Sequence, residues 1–335
     1  MKATDFALAL SNYFNYLQTR KNVSLNTITS YQTTFKLFLK FLDSQLRIAT
    51  QKVQLQDFTC DNISIFLDWL AKERSNSITT QNQRLAALHA FSKYLQSEHP
   101  DKLLQFQKNL EIPQKKVEQK GMDYLLPEMV AELLKKPDKA TQRGRRDLTL
   151  LSVLYDSAAR VSELCDLKVR DVRFSEAPIL ILTGKGNKTR SVPLMPNTTE
   201  LLKKYMAESK LDSRASPDRP LFSNQKGMRL SRSGVNYIVQ KYVTHLEKSF
   251  PQLPQVISPH SFRHTKAMHL YQSGIDILYI RNFLGHVDIK TTEIYAKIDI
   301  ERKRQELEQV YPELIPQELP DWNENSELIS RLLDL

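Results

Sequence analysis

The chain has 335 residues, 41% of them hydrophobic and 26% charged, a balance that excludes disordered and collagen-like proteins and a length that suits two domains. Its two cysteines, Cys60 and Cys165, are too few and too far apart for a disulfide framework or a zinc module. With no secretory leader and no apolar run near ~18 residues, a cytoplasmic protein that does not enter membranes is expected. The formal net charge is +10, and residues 311–335 hold six acids and one base, which leaves +15 on residues 1–310; that excess points to a polyanionic partner without separating DNA from RNA, or an enzyme from a passive binder.

Residues 1–112 read as an all-helical domain. A helix over about 3–20 carries Phe6, Leu10, Tyr13, Phe14 and Leu17 on one side. A second, capped at Asn26, carries Ile28, Tyr31, Phe35, Phe38 and Leu42. These steps of three and four are the helical period. A third holds Ile63, Phe66, Leu67 and Leu70, and a fourth, after Ser77, holds Leu85, Leu88, Phe91 and Leu95. The stripes are core; Arg20, Lys21, Lys36, Lys40 and Arg84 are expected on exposed faces that could meet phosphates. Residues 113–122, containing PQKKVEQKG, form an expected linker.

A second domain is expected over 123–310. One helix follows Pro127 and another runs from about Arg145 through Ala158. The period then changes: ILILT at 179–183 and TRSVPL at 189–194 flank GKGNK, a β-hairpin signal. Helices resume at about 197–208, 231–248, 259–273 and 275–284, the third of them with Ser258 as cap, Pro259 in the first turn and Gly274 at its end. The tail, 311–335, is broken by Pro312, Pro316 and Pro320 and closes on ELISRLLDL, a short amphipathic helix that needs a surface to dock on. The fold class expected is mainly α with a small β-hairpin or sheet (α+β).

Four local patterns carry chemistry: SAARVSEL at 157–164, GKGNK at 184–188, PHSFRH at 259–264 and LGHVDIKTTEIYA at 284–296. In this order they resemble the tyrosine recombinases of the phage-integrase type, and residues 1–112 are similar to that family's helical, SAM-like core-binding domain. The family set of Arg, hairpin Lys, His-x-x-Arg, His and Tyr falls on Arg160, Lys185, His260, Arg263, His286 and Tyr295. The resemblance implies a two-domain clamp around duplex DNA, with Tyr295 as nucleophile and a 3′-phosphotyrosyl intermediate. It gives Lys185 the task of protonating the leaving 5′ oxygen, His260 that of assisting proton transfer at the tyrosine, and His286 a hydrogen bond to the phosphate. It also implies a homotetramer in synapsis with possible accessory proteins, and no metal or other cofactor. Two departures stand out: Ala158 where a glycine is common, and Lys266 in a commonly apolar place.

The chemistry is coherent on its own terms. A free tyrosine, with a pKa near ~10, is ionised about once in a thousand at neutral pH, so it needs a base or cationic surroundings. Two guanidiniums can grip the non-bridging phosphate oxygens in forked, charge-assisted bonds, and Arg160 and Arg263 suit that role. His260 and Arg263, three apart, share a helix face; His264 reads as a supporting residue and His269 as structural. Within the family, the stretch from RHTKAMH to IYAK favours integration, excision or transposition of a mobile element over chromosome-dimer resolution. From other classes, a non-catalytic DNA-binding protein on the same scaffold, a type IB topoisomerase, and a metal-dependent nuclease built on Asp147, Asp156, Glu163 and Asp171 are the competing readings.

Overall fold

The computed structural model describes residues 3–117 and 123–298, apart from 213, 248, 255 and 287, together with 330, 331 and 333; for residues 185, 290, 297 and 298 only the backbone is described. It divides into two compact units, residues 1–120 and 121–335.

The first unit is helical: α1 (Asp5–Thr19), α2 (Leu25–Leu46), α3 (Cys60–Arg74), α4 (Ile78–Glu98) and α5 (Leu103–Leu110). Hydroxyls of Thr4, Ser24, Thr59 and Ser77 cap the first four by accepting from amides in the first turn, each contributing about 1 kcal/mol. Asn26 is therefore not the cap of α2: Ser24 takes that place, two residues earlier, by accepting from the amide of Thr27 at 3.3 Å. The expected stripes meet in an aromatic core. Phe91 is its hub, with ring centroids 5.1 Å from Tyr13 and Phe35, 5.3 Å from Phe58 and 5.9 Å from Phe6. Arg84 does not face outward: it donates to the Ser30 carbonyl and the Thr34 hydroxyl at 3.1 and 3.2 Å and ties α4 to α2. Residues 113–117, read as linker, lie along the first unit, where Asn82 donates to the Lys115 carbonyl and accepts from its amide.

The second unit contains α6 (Pro127–Lys135), α7 (Gln142–Ser157), α8 (Val161–Asp166), β1 (Val172–Arg173), β2 (Ile179–Thr183), β3 (Thr189–Pro193), α9 (Pro196–Glu208), α10 (Arg232–Val243), α11 (Pro259–Gln272), α12 (Ile277–Leu284) and α13 (Lys290–Ile298). The strands form one antiparallel sheet in the order β1-β2-β3, with Leu180 opposite Val192 and Thr183 opposite Thr189. Alternation buries Leu180, Leu182 and Val192 on one face. The expected hairpin is present, and β1 adds a third strand. Helix α7 runs through the core, buried from Asp147 to Leu154, and packs against α9 and α11. None of the described helices is long and apolar enough to cross a membrane. Apart from residues 330, 331 and 333, which are helical and exposed, the tail 311–335 with the helix expected in its closing ELISRLLDL lies outside the described residues.

Candidate active site

The site begins where α7 ends. Ala158 caps that helix in the left-handed conformation, φ 47° and ψ 34°. A residue with a Cβ bears strain there, which is why glycine is common at such a place. The left-handed step turns the chain so that Arg160 stands at the start of α8. Its backbone amide and guanidinium both donate to Glu163, each at 2.8 Å.

Glu163 holds more than Arg160. Arg190, on β3, clasps the same carboxylate with both terminal nitrogens, at 2.9 and 2.8 Å, and donates through Nε to the Phe283 carbonyl at 3.0 Å. Burial alone would raise the Glu163 carboxyl; the Arg190 fork, followed by the bonds from Arg160, hold it down to about 2. The Arg160–Glu163 pair is thus part of a larger clasp that presents Arg160. Gly184 passes so close that a Cβ there would stand 2.9 Å from the Glu163 carboxylate. That close approach brings the hairpin turn, with Lys185 in it, against the Arg160 side of the pocket. Gly186, at φ 74°, and Asn187, at φ 58°, shape the turn.

Helix α11 supplies the next group. Arg263 is buried, with its terminal nitrogens donating to the Ala158 carbonyl at 2.8 Å and the Leu284 carbonyl at 2.5 Å. One side chain thereby joins the end of α7 to the end of α12. Burial, then Arg160 and Arg190, push its pKa down to about 9, so it remains a cation at neutral pH. His260 lies one turn earlier, its ring edge-on to that of His264 at 4.3 Å. Partial burial, then Arg263 and Arg160, lower its pKa.

The chain leaves α12 through Gly285, left-handed at φ 65°, whose carbonyl lies 3.5 Å from the Arg160 guanidinium. His286 follows, and its Nδ1 shares a 2.9 Å hydrogen bond with the buried Thr292 hydroxyl of α13. Burial, then Arg263 and Arg160, depress His286 to about 4, so it is a neutral imidazole. Tyr295, also on α13, is fully buried among Ala158, Ala267, Met268, Tyr271, Ile280 and Leu284. Its hydroxyl lies 3.0 Å from Nδ1 of His264. Burial raises its pKa to about 12, against the opposing pull of Arg263.

Arg160, His260, Arg263, His286 and Tyr295, read from three separate stretches of sequence, are therefore gathered at one place, with the backbone of the Lys185 turn beside it. Arg190 was not among the residues singled out from the sequence. Its only signal there was a position on the strand leaving the hairpin. Lys266 is largely shielded from solvent: it pairs with Asp156 at 3.4 Å and lies 4.7 Å over the Tyr155 ring. His269 is a strut between the Tyr155 hydroxyl and the Leu125 carbonyl, both at 2.8 Å. The carboxylates of the metal-dependent reading have separate partners: Asp147 meets Arg146 and Tyr242, Asp156 meets Lys266 and Thr198, and Glu163 meets its two arginines. Among the described residues no three acidic, histidine or cysteine side chains converge to hold an ion.

Comparison with known proteins places the chain in a family. The model of the phage integrase family matches residues 123–302, and that of the phage integrase N-terminal SAM-like domain matches residues 10–99. The chain belongs to the phage integrase family. A putative integrase/recombinase of Sinorhizobium fredii, y4rC, is 33% identical over 93% of both chains. The tyrosine recombinase XerC of Anoxybacillus flavithermus is 32% identical over 89% of this chain and 95% of its own. In fold, the Tn1549 transposon integrase in complex with transposon right end DNA superposes with a TM-score of 0.70 at 18% identity, over 91% of this chain and 99% of the other. The XerH site-specific recombinase bound to palindromic difH substrate, a post-cleavage complex, gives 0.69 at 22%, over 85% and 80%. As a member of this family the protein is a tyrosine recombinase.

Proposed function

We propose that this enzyme cuts and rejoins duplex DNA at a specific site through Tyr295, in the integration, excision or transposition of a mobile element. The observation that carries the reading is the convergence of Arg160, His260, Arg263 and His286 around the Tyr295 phenol. In the reaction the phenol oxygen attacks the scissile phosphorus, the bond to the 5′ oxygen breaks, and a 3′-phosphotyrosyl diester forms. Arg160 and Arg263 neutralise the non-bridging oxygens, most strongly as charge builds in the pentacoordinate transition state. His286, neutral and tethered to Thr292, keeps its Nε2 for the phosphate. Lys185, in the hairpin turn, protonates the departing 5′ oxygen, and His260 takes up the proton that the phenol gives up. The ester conserves the energy of the broken bond, so the reverse attack by a 5′ hydroxyl reseals the strand without ATP.

DNA is the partner that the excess positive charge favours, and the Tn1549 integrase and XerH are both known bound to it. The two units act as a clamp on the duplex, and four copies pair two duplexes in a cytoplasmic synapse, with accessory proteins where the element encodes them. Resolution of chromosome dimers is the second reading, favoured by the likeness to XerC.

The test is to mix the protein with DNA carrying the ends of its native element in EDTA and look for an adduct that survives SDS. The adduct is expected with the natural chain and absent from Tyr295→Phe. Cutting that appears only with added Mg²⁺ would overturn the mechanism.

A further inference from the structure

Three imidazoles surround the nucleophile's neighbourhood, and the family resemblance gives the proton-handling task to His260. The geometry assigns the phenol to a different one. The Tyr295 hydroxyl is 3.0 Å from Nδ1 of His264, and no other hydrogen bond to it is recorded among the described residues. The ring lies in an apolar cluster with Ala158, Ala267, Met268 and Leu284 among others, and the Arg263 cation is near enough to pull on the phenol. In such a pocket a hydroxyl without a partner is costly, and a single directional bond fixes its rotation. His264 is itself held: its ring packs edge-on against His260 at 4.3 Å, and its neighbour in sequence, Arg263, is pinned at both ends by the carbonyls of Ala158 and Leu284.

We propose that His264 is a positioning residue for the nucleophile, a neutral acceptor that aims the Tyr295 hydroxyl, while His260 remains beside the phosphate. The inference rests on the recombinase reading of the site. Magnitudes separate aiming from proton removal. Burial, then His260 and Arg263, depress His264 to about 4, whereas burial raises Tyr295 to about 12. A gap that wide keeps the proton on the phenol oxygen, with the imidazole lone pair accepting. Only Nδ1 is used, so a shorter side chain with an oxygen at the same place can substitute.

The test compares His264→Ala and His264→Asn with the natural chain, measuring adduct formation in a single turnover at saturating DNA, DNA affinity, and the melting temperature. The asparagine amide reaches the position of Nδ1 and accepts a hydrogen bond but cannot take up a proton at neutral pH. Expected is a loss of about tenfold in the rate for His264→Ala, the scale of one oriented hydrogen bond, with recovery to within about threefold in His264→Asn. The loss falls on the rate at saturation and not on affinity. Two results overturn the proposal: an asparagine variant that melts like the natural chain yet is as slow as the alanine variant, which makes His264 a proton acceptor, or an alanine variant with the natural rate. Failure of the underlying reading shows differently, as absence of any Tyr295-dependent adduct from the natural chain.

Discussion

The two units of the molecule bury very different things. The first is closed by a web of rings around Phe91, and its buried polar side chains, Thr34, Gln81, Ser92 and Asn109, are uncharged. The second has an aliphatic core, and every buried charged side chain among the described residues, Asp147, Glu163 and Arg263, lies in it. A buried ion costs several kcal/mol of desolvation that its partners only partly offset. Such a cost is borne where charge has work to do, and two of these three groups stand at the site. The first unit is built for shape, the second to hold guanidiniums in fixed positions inside an apolar frame.

The sharpest way to break this contrast is to damage each unit in its own currency. Phe91→Ala is expected to cost about 3–5 kcal/mol through the cavity left at the hub. Glu163→Gln is expected to cost a similar ~3–5 kcal/mol, because it removes the anion from a buried ion pair and leaves the largely shielded Arg190 unpaired. Hydrogen exchange read unit by unit should show each loss confined to its own unit. Adduct formation should fall with Glu163→Gln even at low temperature where the fold persists, since Arg160 loses its brace. A uniform loss of protection across both units would erase the distinction.

Acid sharpens the comparison further. His264 and His286 are both held near 4, below the usual 6.5, by burial and neighbouring cations. The unfolded chain therefore takes up their protons first as pH falls. Their contribution is full above about pH 6.5 and is lost on the way down to about 4. Glu163, held at about 2, stays ionised over that window and its clasp persists. The first unit holds one histidine shifted in the same sense, His89, lowered by burial. Urea unfolding at pH 7.5 and 4.5 should destabilise the second unit more than the first; equal losses would count against the buried imidazoles as the cause.

The smallest effect tests the strain at Ala158. Ala158→Gly relieves a left-handed residue, worth about 1 kcal/mol, but removes a buried methyl that packs in the cluster around Tyr295, worth about 0.8 kcal/mol. The two nearly cancel, so the unfolding midpoint in urea should move little. A gain beyond about 1 kcal/mol would mean that the methyl contributes nothing to that cluster.

The helices of three turns or more were legible because their apolar residues recur with a clear period, and the hairpin because glycines and an asparagine interrupt two β-rich runs. The short elements were not. Helix α8 has six residues and β1 has two, fewer than a period needs. Helix α5 has eight residues and buries Phe106 beside the polar Asn109 while exposing Leu103 and Leu104, so its buried face does not follow its apolar residues. At the site, the six family positions could be read from four motifs. The clasp of Arg190 on Glu163, the bond from His264 to Tyr295 and the pairing of Lys266 with Asp156 span 27, 31 and 110 residues. No local pattern encodes partners so distant; they exist only once the sheet, α8, α11 and α13 are packed.

The clasp has a consequence for electroneutrality. Arg160, Arg190 and Arg263 share the pocket with one carboxylate, Glu163, and together these four groups carry two net positive charges. A phosphodiester brings one negative charge, whereas the phosphorane formed by a phenolate on that diester has two. On the proposed mechanism these four groups thus stay under-neutralised when DNA first docks and are balanced only at the top of the barrier. Glu163 sets that count by cancelling one guanidinium, so that the second positive charge meets its partner only as the transition state forms.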